Sequence, residues 1–257
     1  MSDETDREAL AEKIRSDYRS TNRRRKLATA GGVTVAIIAA IAALAWIRLD
    51  FDSDDSEIRE PAHASADYGF TLTPEVVSGS DAAGETIPVA IYEDFLCGSC
   101  RIFHETTSEY LIGQVEAGVI TLTYHPFTFL LTQSTDEYSQ RAANAAVCVA
   151  DEAGPLAYAK MHGLLMAEQP ELGGPGLSDE RLIELAHDAD AEDPATCIEE
   201  REFSDWVAAA TEAGLAADVT ETPTVRVNGL NVVRSADGKE VMPGPEELEF
   251  AIESFSN

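Results

Sequence analysis

Basic residues are scarce in most of this chain. From Asp50 onward nine Lys and Arg stand against 41 Asp and Glu, a net charge of −32 for that part and −29 for all 257 residues. A surface this acidic repels phosphate backbones and anionic headgroups, which excludes nucleic acid and anionic lipid as ligands of the main domain. Cysteine is sparse too, with four in all: Cys97, Cys100, Cys148 and Cys197. Structural zinc beside Cys97 and Cys100 would need two further Cys or His at short matching spacing, yet the next cysteine is 48 positions on and His104 alone does not complete a set. No metal and no organic cofactor is expected. There is no internal repeat, and no low-complexity tract outside one acidic stretch. With 44% hydrophobic residues the chain suffices for one ordinary domain, or two small ones, without a covalent or metal crutch.

What the sequence does have is one long apolar run. Residues 27 to 47, LATAGGVTVAIIAAIAALAWI, carry no charge. At helical rise they span about 31 Å, the thickness of a bilayer's hydrocarbon core. Arg23, Arg24, Arg25 and Lys26 precede the run, and Arg48 followed by Asp50, Asp52, Asp54, Asp55 and Glu57 comes after it. The positive-inside bias puts residues 1–26 in the cytoplasm, makes 27–48 a single transmembrane helix in contact with lipid, and places everything later outside the cell membrane. A cleaved signal peptide is the competing reading, since Ala43-Leu44-Ala45 has a suitable small-residue pattern, but the apolar region of such peptides usually spans only about 7–15 residues. Residues 49–66 are acidic and contain Pro61, with little to bury, and are expected to form a disordered stalk before a folded domain over 67–257.

Within that domain Ile87, Val89 and Ile91 alternate as in a strand, with Pro88 near its start. After Cys97 the less polar residues Cys100, Phe103, Thr107, Tyr110 and Leu111 recur at helical spacing until Gly118. Ile120, Leu122 and Tyr124 alternate again. Strand, helix, strand with short joins predicts a βαβ unit with parallel strands. Helical patterns then fill an insertion at about 133–217: runs from 136 to 151 and 155 to 167, a helix capped by Ser178, and one over 198–217, with Trp206, Phe203, Tyr158, Met161, Leu164 and Leu165 as its core. Strands resume at Val225 and Val227, Asn228-Gly229 predicts a tight hairpin with a return over 231–234, and Pro245-Glu246-Glu247 opens a last helix. The fold class is α/β.

Cys97 and Cys100 sit where the first strand gives way to the helix, in YEDFLCGSCRIFHE. A staple closing so short a loop would stabilise little. A redox pair explains the placement better. At a helix N-terminus, unpaired N–H groups and the positive dipole end favour thiolate over thiol, making Cys97 the nucleophile, and Cys100, one turn on, can attack a mixed disulfide and release it. Gly98-Ser99 between them carries no charge and predicts no strong redox bias. His104 is expected at the surface. Cys148 and Cys197, both in the insertion and outside the membrane, are expected to pair as a structural disulfide, with two buried free thiols as the alternative.

Cys97-Gly98-Ser99-Cys100 after a strand, a long helical insertion, then TETPTVRVNG, a hairpin and a final helix: this order resembles the DsbA-like branch of the thioredoxin fold over residues 68–257. The resemblance implies a central mixed sheet flanked by helices, a cis bond before Pro223 facing the reactive pair with Thr222 beside the sulfur, and exposed backbone at residue 222 for a bound peptide strand. One departure stands out. Family members often bury an acid six positions before the first cysteine, where this chain has Ile91; Glu93 and Asp94 lie nearer and are expected to be solvated or to bond the loop.

The function expected is an extracytoplasmic thiol-disulfide oxidoreductase that introduces disulfides into exported proteins carrying reduced cysteines. The resemblance implies reoxidation by a membrane partner of the DsbB or vitamin K epoxide reductase type. A reductase or isomerase of the same fold, and a non-catalytic thioredoxin-fold adaptor, are the alternatives.

Overall fold

The alternating apolar residues of the two expected strands pair as the βαβ pattern requires. In the computed structural model, which describes residues 58–80, 84–236 and 239–256, β2 (Ile87–Glu93) lies parallel to β3 (Ile120–Pro126), with Val89 opposite Leu122 and Ile91 opposite Tyr124. The crossover between them is α2 (Gly98–Glu116), which turns Cys100, Phe103, Thr107, Leu111 and Val115 inward. Gly118, at φ 73°, ends the connection. Two elements had no strong sequence signal: β1 (Phe70–Leu72), antiparallel to β3, and the single-turn helix α1 (Pro74–Ser78), whose Thr73 side chain accepts from the Val76 N–H. Three-residue strands are too short for alternation to register.

The sheet has the order β1-β3-β2-β4-β5, completed by β4 (Thr224–Val227), antiparallel to β2, and β5 (Leu230–Asn231), joined to it through Asn228-Gly229 with both residues at positive φ. The return strand is shorter than expected. Arg234 instead begins β6 (Arg234–Ala236), which pairs with β7 (Lys239–Val241) in a separate hairpin. The last helix, α7 (Pro245–Glu253), starts where Pro245 and the acids predict and buries Leu248, Ala251 and Ile252.

The insertion is helical throughout. In α3 (Tyr138–Ala167) the two expected runs abut at Gly154, whose φ of 83° and ψ of −178° break the helix just before Pro155. Next come α4 (Asp179–Asp188), capped by the Ser178 hydroxyl, then α5 (Ala195–Glu199) and α6 (Ser204–Ala216). The continuous helix expected over 198–217 is therefore two. Arg201 takes φ 54°, and the Phe203 N–H leaves the helical ladder to donate to Asn144 Oδ1 at 2.9 Å. Phe203, Trp206, Tyr158, Met161 and Leu165 are buried, as expected of a helical core, while Leu164 is only partly so. Phe70 of β1 stacks on Tyr158 at 4.6 Å and lies 5.7 Å from Trp206, which joins sheet and insertion in one apolar core. Each large side chain buried this fully contributes roughly 1.5–3 kcal/mol.

The beginning of the domain is corrected. Residues 58–66 were expected in a disordered stalk, but they pack: Pro61 is buried, the Arg59 guanidinium pairs with Asp151 at 3.1 Å and with Glu202 and lies 4.6 Å over the Phe203 ring, and the Ala62 N–H donates to Asp151. Charge alone made this stretch look unfoldable, yet its one arginine finds carboxylates and an aromatic face on the insertion. The expected cytoplasmic segment, membrane helix and first part of the stalk lie outside the described residues. Among the described residues no helix is long and apolar enough to cross a membrane.

Candidate active site

The chain turns from β2 into α2 through Asp94, Phe95 and Leu96, and Asp94 holds that turn. Its carboxylate accepts from the Leu96 N–H at 2.8 Å, the Leu130 N–H at 2.7 Å and the Ser139 hydroxyl at 2.7 Å. Burial nonetheless raises its pKa to about 6 against those donors. From the insertion, Gln169 donates through Nε2 to the carbonyls of Phe95 (3.1 Å) and Cys97 (3.0 Å). The loop is thus fixed from both sides before the first cysteine. Cys97 occupies the N-cap of α2 with extended backbone, and its carbonyl accepts from the Cys100 N–H at 3.0 Å.

Both sulfurs are free thiols in this structure, Cys97 7% exposed and Cys100 fully buried. The peptide bond between Thr222 and Pro223 is cis, as the resemblance implied, and brings the Thr222 carbonyl to 3.4 Å from the Cys97 sulfur. Ser99 Oγ lies 3.0 Å from that sulfur and 3.2 Å from the same carbonyl. A carbonyl can only accept, so it holds the Cys97 thiol, whereas the thiolate is served by donors. Hydrogen bonds from the Cys100 thiol above all, then from Ser99 and the groups at Thr222 and the Cys100 backbone, pull the Cys97 pKa down to about 5 against its partial burial. Burial pushes Cys100 well above a free thiol, and its bond to Cys97 and the Glu93 charge push the same way. The pair is therefore polarised into a nucleophile and a protonated partner.

The dipeptide between the cysteines is not neutral in effect: the Ser99 hydroxyl supplies one of the donors. A hydrogen bond to a charged group is worth ~1.5–3 kcal/mol, so Ser99→Ala is expected to raise the Cys97 pKa by about one to two pH units. Titrating the thiolate's ultraviolet absorbance in the reduced protein measures this, and an unchanged midpoint would remove Ser99 from the set.

Two further expectations are corrected. Asp94 bonds the loop, as expected, but Glu93 is not solvated: it is 4% exposed, and burial raises its pKa to about 8. Ile91 is buried in the core of β2, and Glu93, two residues on and on the same strand face, is a buried carboxyl. The signal was present in the sequence, because the alternation of Ile87, Val89 and Ile91 continues to residue 93. His104 is half-buried instead of lying at the surface. It packs against Gly163 of α3 with its ring 5.1 Å from that of His162, a residue that no sequence pattern singles out.

Cys148 and Cys197 form a disulfide with Cα atoms 5.9 Å apart, tying α3 to α5. Beside Pro223 a groove of about 320 Å³ opens between Ser99, Thr222, Val232, Val233 and Met242.

A thioredoxin family model matches residues 71–252, which take in both cysteines and the cis bond. The chain belongs to the thioredoxin family. Within it the likeness is to the DsbA-like enzymes. The disulfide bond oxidoreductase DsbG of Mycobacterium tuberculosis shares 30% identity and a TM-score of 0.61, covering 76% of this chain and 90% of that one. DsbA of the same organism, in its reduced form, shares 29% with a TM-score of 0.60, covering 74% and 93%. MdbA, a thiol-disulfide oxidoreductase of Corynebacterium diphtheriae, matches in fold at 22% identity and a TM-score of 0.58, covering 78% of this chain and 97% of that one. The curated serine/threonine-protein kinase PknE of Mycobacterium tuberculosis is 31% identical over 117 residues, 45% of this chain; the chain spans a fifth of that kinase's length. This thioredoxin-family chain is a protein thiol-disulfide oxidoreductase, and Cys97 and Cys100 stand as free thiols at the start of α2.

Proposed function

We propose that this enzyme works as an oxidase, introducing disulfides into exported proteins on the outer side of the membrane in which residues 27–48 anchor it. The observation that carries the direction is the Cys97 thiolate, favoured down to about pH 5. Stabilising the thiolate stabilises the reduced enzyme, and a stable reduced form makes its disulfide a strong oxidant. An extracytoplasmic setting is supported by the Cys148–Cys197 disulfide, a bond that persists in oxidising compartments, and by the charge asymmetry about the apolar run.

In the forward reaction a substrate thiolate attacks Cys97 Sγ of the Cys97–Cys100 disulfide. A new S–S bond forms, and Cys100 leaves with the electron pair and takes a proton, for which the protonated, buried Glu93 is the neighbouring source. The substrate's second thiolate then attacks its own sulfur in the mixed disulfide, and Cys97 departs as a thiolate that needs no proton near neutral pH. Two electrons reach the enzyme and the substrate holds the disulfide. The groove beside Pro223, lined by Thr222, Val232, Val233 and Met242, suits an extended substrate segment. A membrane oxidase of the DsbB or vitamin K epoxide reductase type would take the electrons on.

Because Cys97 stays ionised above about pH 5, reduction takes up two protons below that pH and one above it. The reduction potential of the full chain is expected to fall by about 60 mV per pH unit in the acid range and by about 30 mV above it, and to lie well above the −270 mV or so of thioredoxin at neutral pH. A potential near thioredoxin's would overturn the oxidising direction and favour a reductase.

A further inference from the structure

Glu93, His162 and His104 form a line of three titratable side chains running from beneath the cysteine pair to the edge of the insertion. His162 Nε2 lies 3.1 Å from Glu93 Oε2, with the two side chains 2% and 4% exposed. Neither His162 nitrogen and not the second Glu93 oxygen has a hydrogen-bond partner among the described residues. The His104 ring is 5.1 Å from that of His162, tilted 58°, and reaches partial exposure. It stands four residues after Cys100 on α2. Gly163 of α3 borders it, a Cβ placed there lying 3.4 Å from His104 Nε2.

An unpaired buried polar atom costs about 1–3 kcal/mol, and Glu93 Oε1 and His162 Nδ1, both without a partner among the described residues on either side of the 3.1 Å Nε2–Oε2 contact, point to chemistry more than to packing. The forward reaction sets a requirement that the pair cannot meet alone: Cys100 is fully buried and Glu93 nearly so, yet each turnover moves one proton between them and solvent. The groups facing Glu93 are Cys97, Cys100 and His104 from α2, Tyr124 from β3, and Tyr158 and His162 from α3; Glu105 adds its charge at His104. Burial holds both tyrosines protonated well above neutral pH. A neutral imidazole, by contrast, donates from one nitrogen while accepting at the other.

We propose that His162 and His104 carry the proton between Glu93 and solvent, which makes the helical insertion a working part of the exchange step. After Glu93 has protonated the departing Cys100 thiolate, His162 gives its Nε2 proton to the Glu93 carboxylate across the 3.1 Å contact and takes one at Nδ1 from the side of His104, which is replenished from water; reoxidation of the pair runs the line in reverse and restores the starting tautomer. One proton enters for each delivered, and no electron moves along the line. Burial keeps both rings neutral near pH 7, with the His162 pKa lowered to about 3 and that of His104 to about 4, so neither traps the proton. Both histidines act through Glu93 and are positioning residues.

This rests on Glu93 exchanging the Cys100 proton, and the test separates the two. Reduction of the oxidised full chain by dithiothreitol is followed by stopped flow in light and heavy water for wild type, His162→Gln, His104→Gln and Glu93→Gln. Each histidine variant is expected to react about a hundredfold more slowly near neutral pH, at the low end of proton-transfer effects, with an enlarged solvent isotope effect and an unchanged Cys97 titration. Wild-type rates in both histidine variants, or slowing without a change in isotope effect, would overturn the relay. If Glu93→Gln is slow while both histidine variants match wild type, the relay falls and the role of Glu93 stands; a wild-type rate in Glu93→Gln removes both. Should His162→Gln fail to fold, the half-exposed His104→Gln decides.

Discussion

Replacing Cys97 by serine is expected to abolish disulfide exchange, whereas replacing Cys100 by serine is expected to leave a protein that accumulates mixed disulfides with its substrates. The two outcomes differ because the sulfurs do different work. Cys97 is the pair's acidic member, its pKa near 5, at the start of α2 beside Thr222. A hydroxyl there cannot ionise near neutral pH and cannot form the sulfur–sulfur bond on which the exchange depends. Turnover in Cys97→Ser should therefore fall to the uncatalysed level, measured by oxidative refolding of a reduced secreted protein. In Cys100→Ser the thiolate at Cys97 survives and can attack a disulfide already present in a substrate, expelling one substrate thiolate as the new S–S bond forms, but the sulfur that would resolve that mixed disulfide is gone. Mass spectrometry under non-reducing conditions should find the substrate joined to Cys97. Because Cys100 is also the first donor to the Cys97 sulfur, a serine in its place should leave the Cys97 pKa low, since a hydroxyl donates as well. Activity retained by Cys97→Ser would mark the chain as an adaptor instead of an enzyme.

Removing the Cys148–Cys197 disulfide is expected to lower stability by up to about 4 kcal/mol, from the loop-closure entropy of its 49-residue separation. For a domain of this size that corresponds to a fall in Tm of about 8–16 °C. Some register would survive the loss, because Asn144 bridges the same two segments, accepting from the Phe203 N–H at 2.9 Å and donating to the Cys197 carbonyl at 3.4 Å. Calorimetry of the Cys148→Ala/Cys197→Ala variant measures the effect. A Tm within about 2 °C of the parent, less than the shift expected from 1 kcal/mol, would show that the helices alone hold the insertion. The Cys97 titration should not move, since neither cysteine is among the groups that set it.

Much of the active site was legible before any coordinates. Cysteine spacing, the strand-to-helix switch at residue 97 and the Thr-Pro-Thr segment single out Cys97, Cys100 and Pro223, and the structure brings the Thr222 carbonyl to 3.4 Å from the Cys97 sulfur. The alternation of β2 was read through Ile91 and stopped at the first charged residue, although the same period buries Glu93. A glutamate is so seldom buried that its residue type argues against what its position in the strand requires. Residues 58–66 were misjudged for a related reason, since acidity and small side chains do not disclose an arginine that finds two carboxylates and a ring.

The sequence by itself determined the βαβ unit, the helical insertion, the hairpin at Asn228-Gly229 and the identity of the two reactive sulfurs, because strand and helix periods, turn residues and the helix-start effect on a thiol act over a few neighbouring residues. Only the tertiary structure decided how acidic Cys97 is, that Ser99 contributes to it, that the helix over 198–217 breaks at Arg201, and that Glu93, His104 and His162 meet. Those depend on groups distant in the chain being driven together and cut off from water. Desolvation belongs to an assembled interior and leaves no trace in the order of residues.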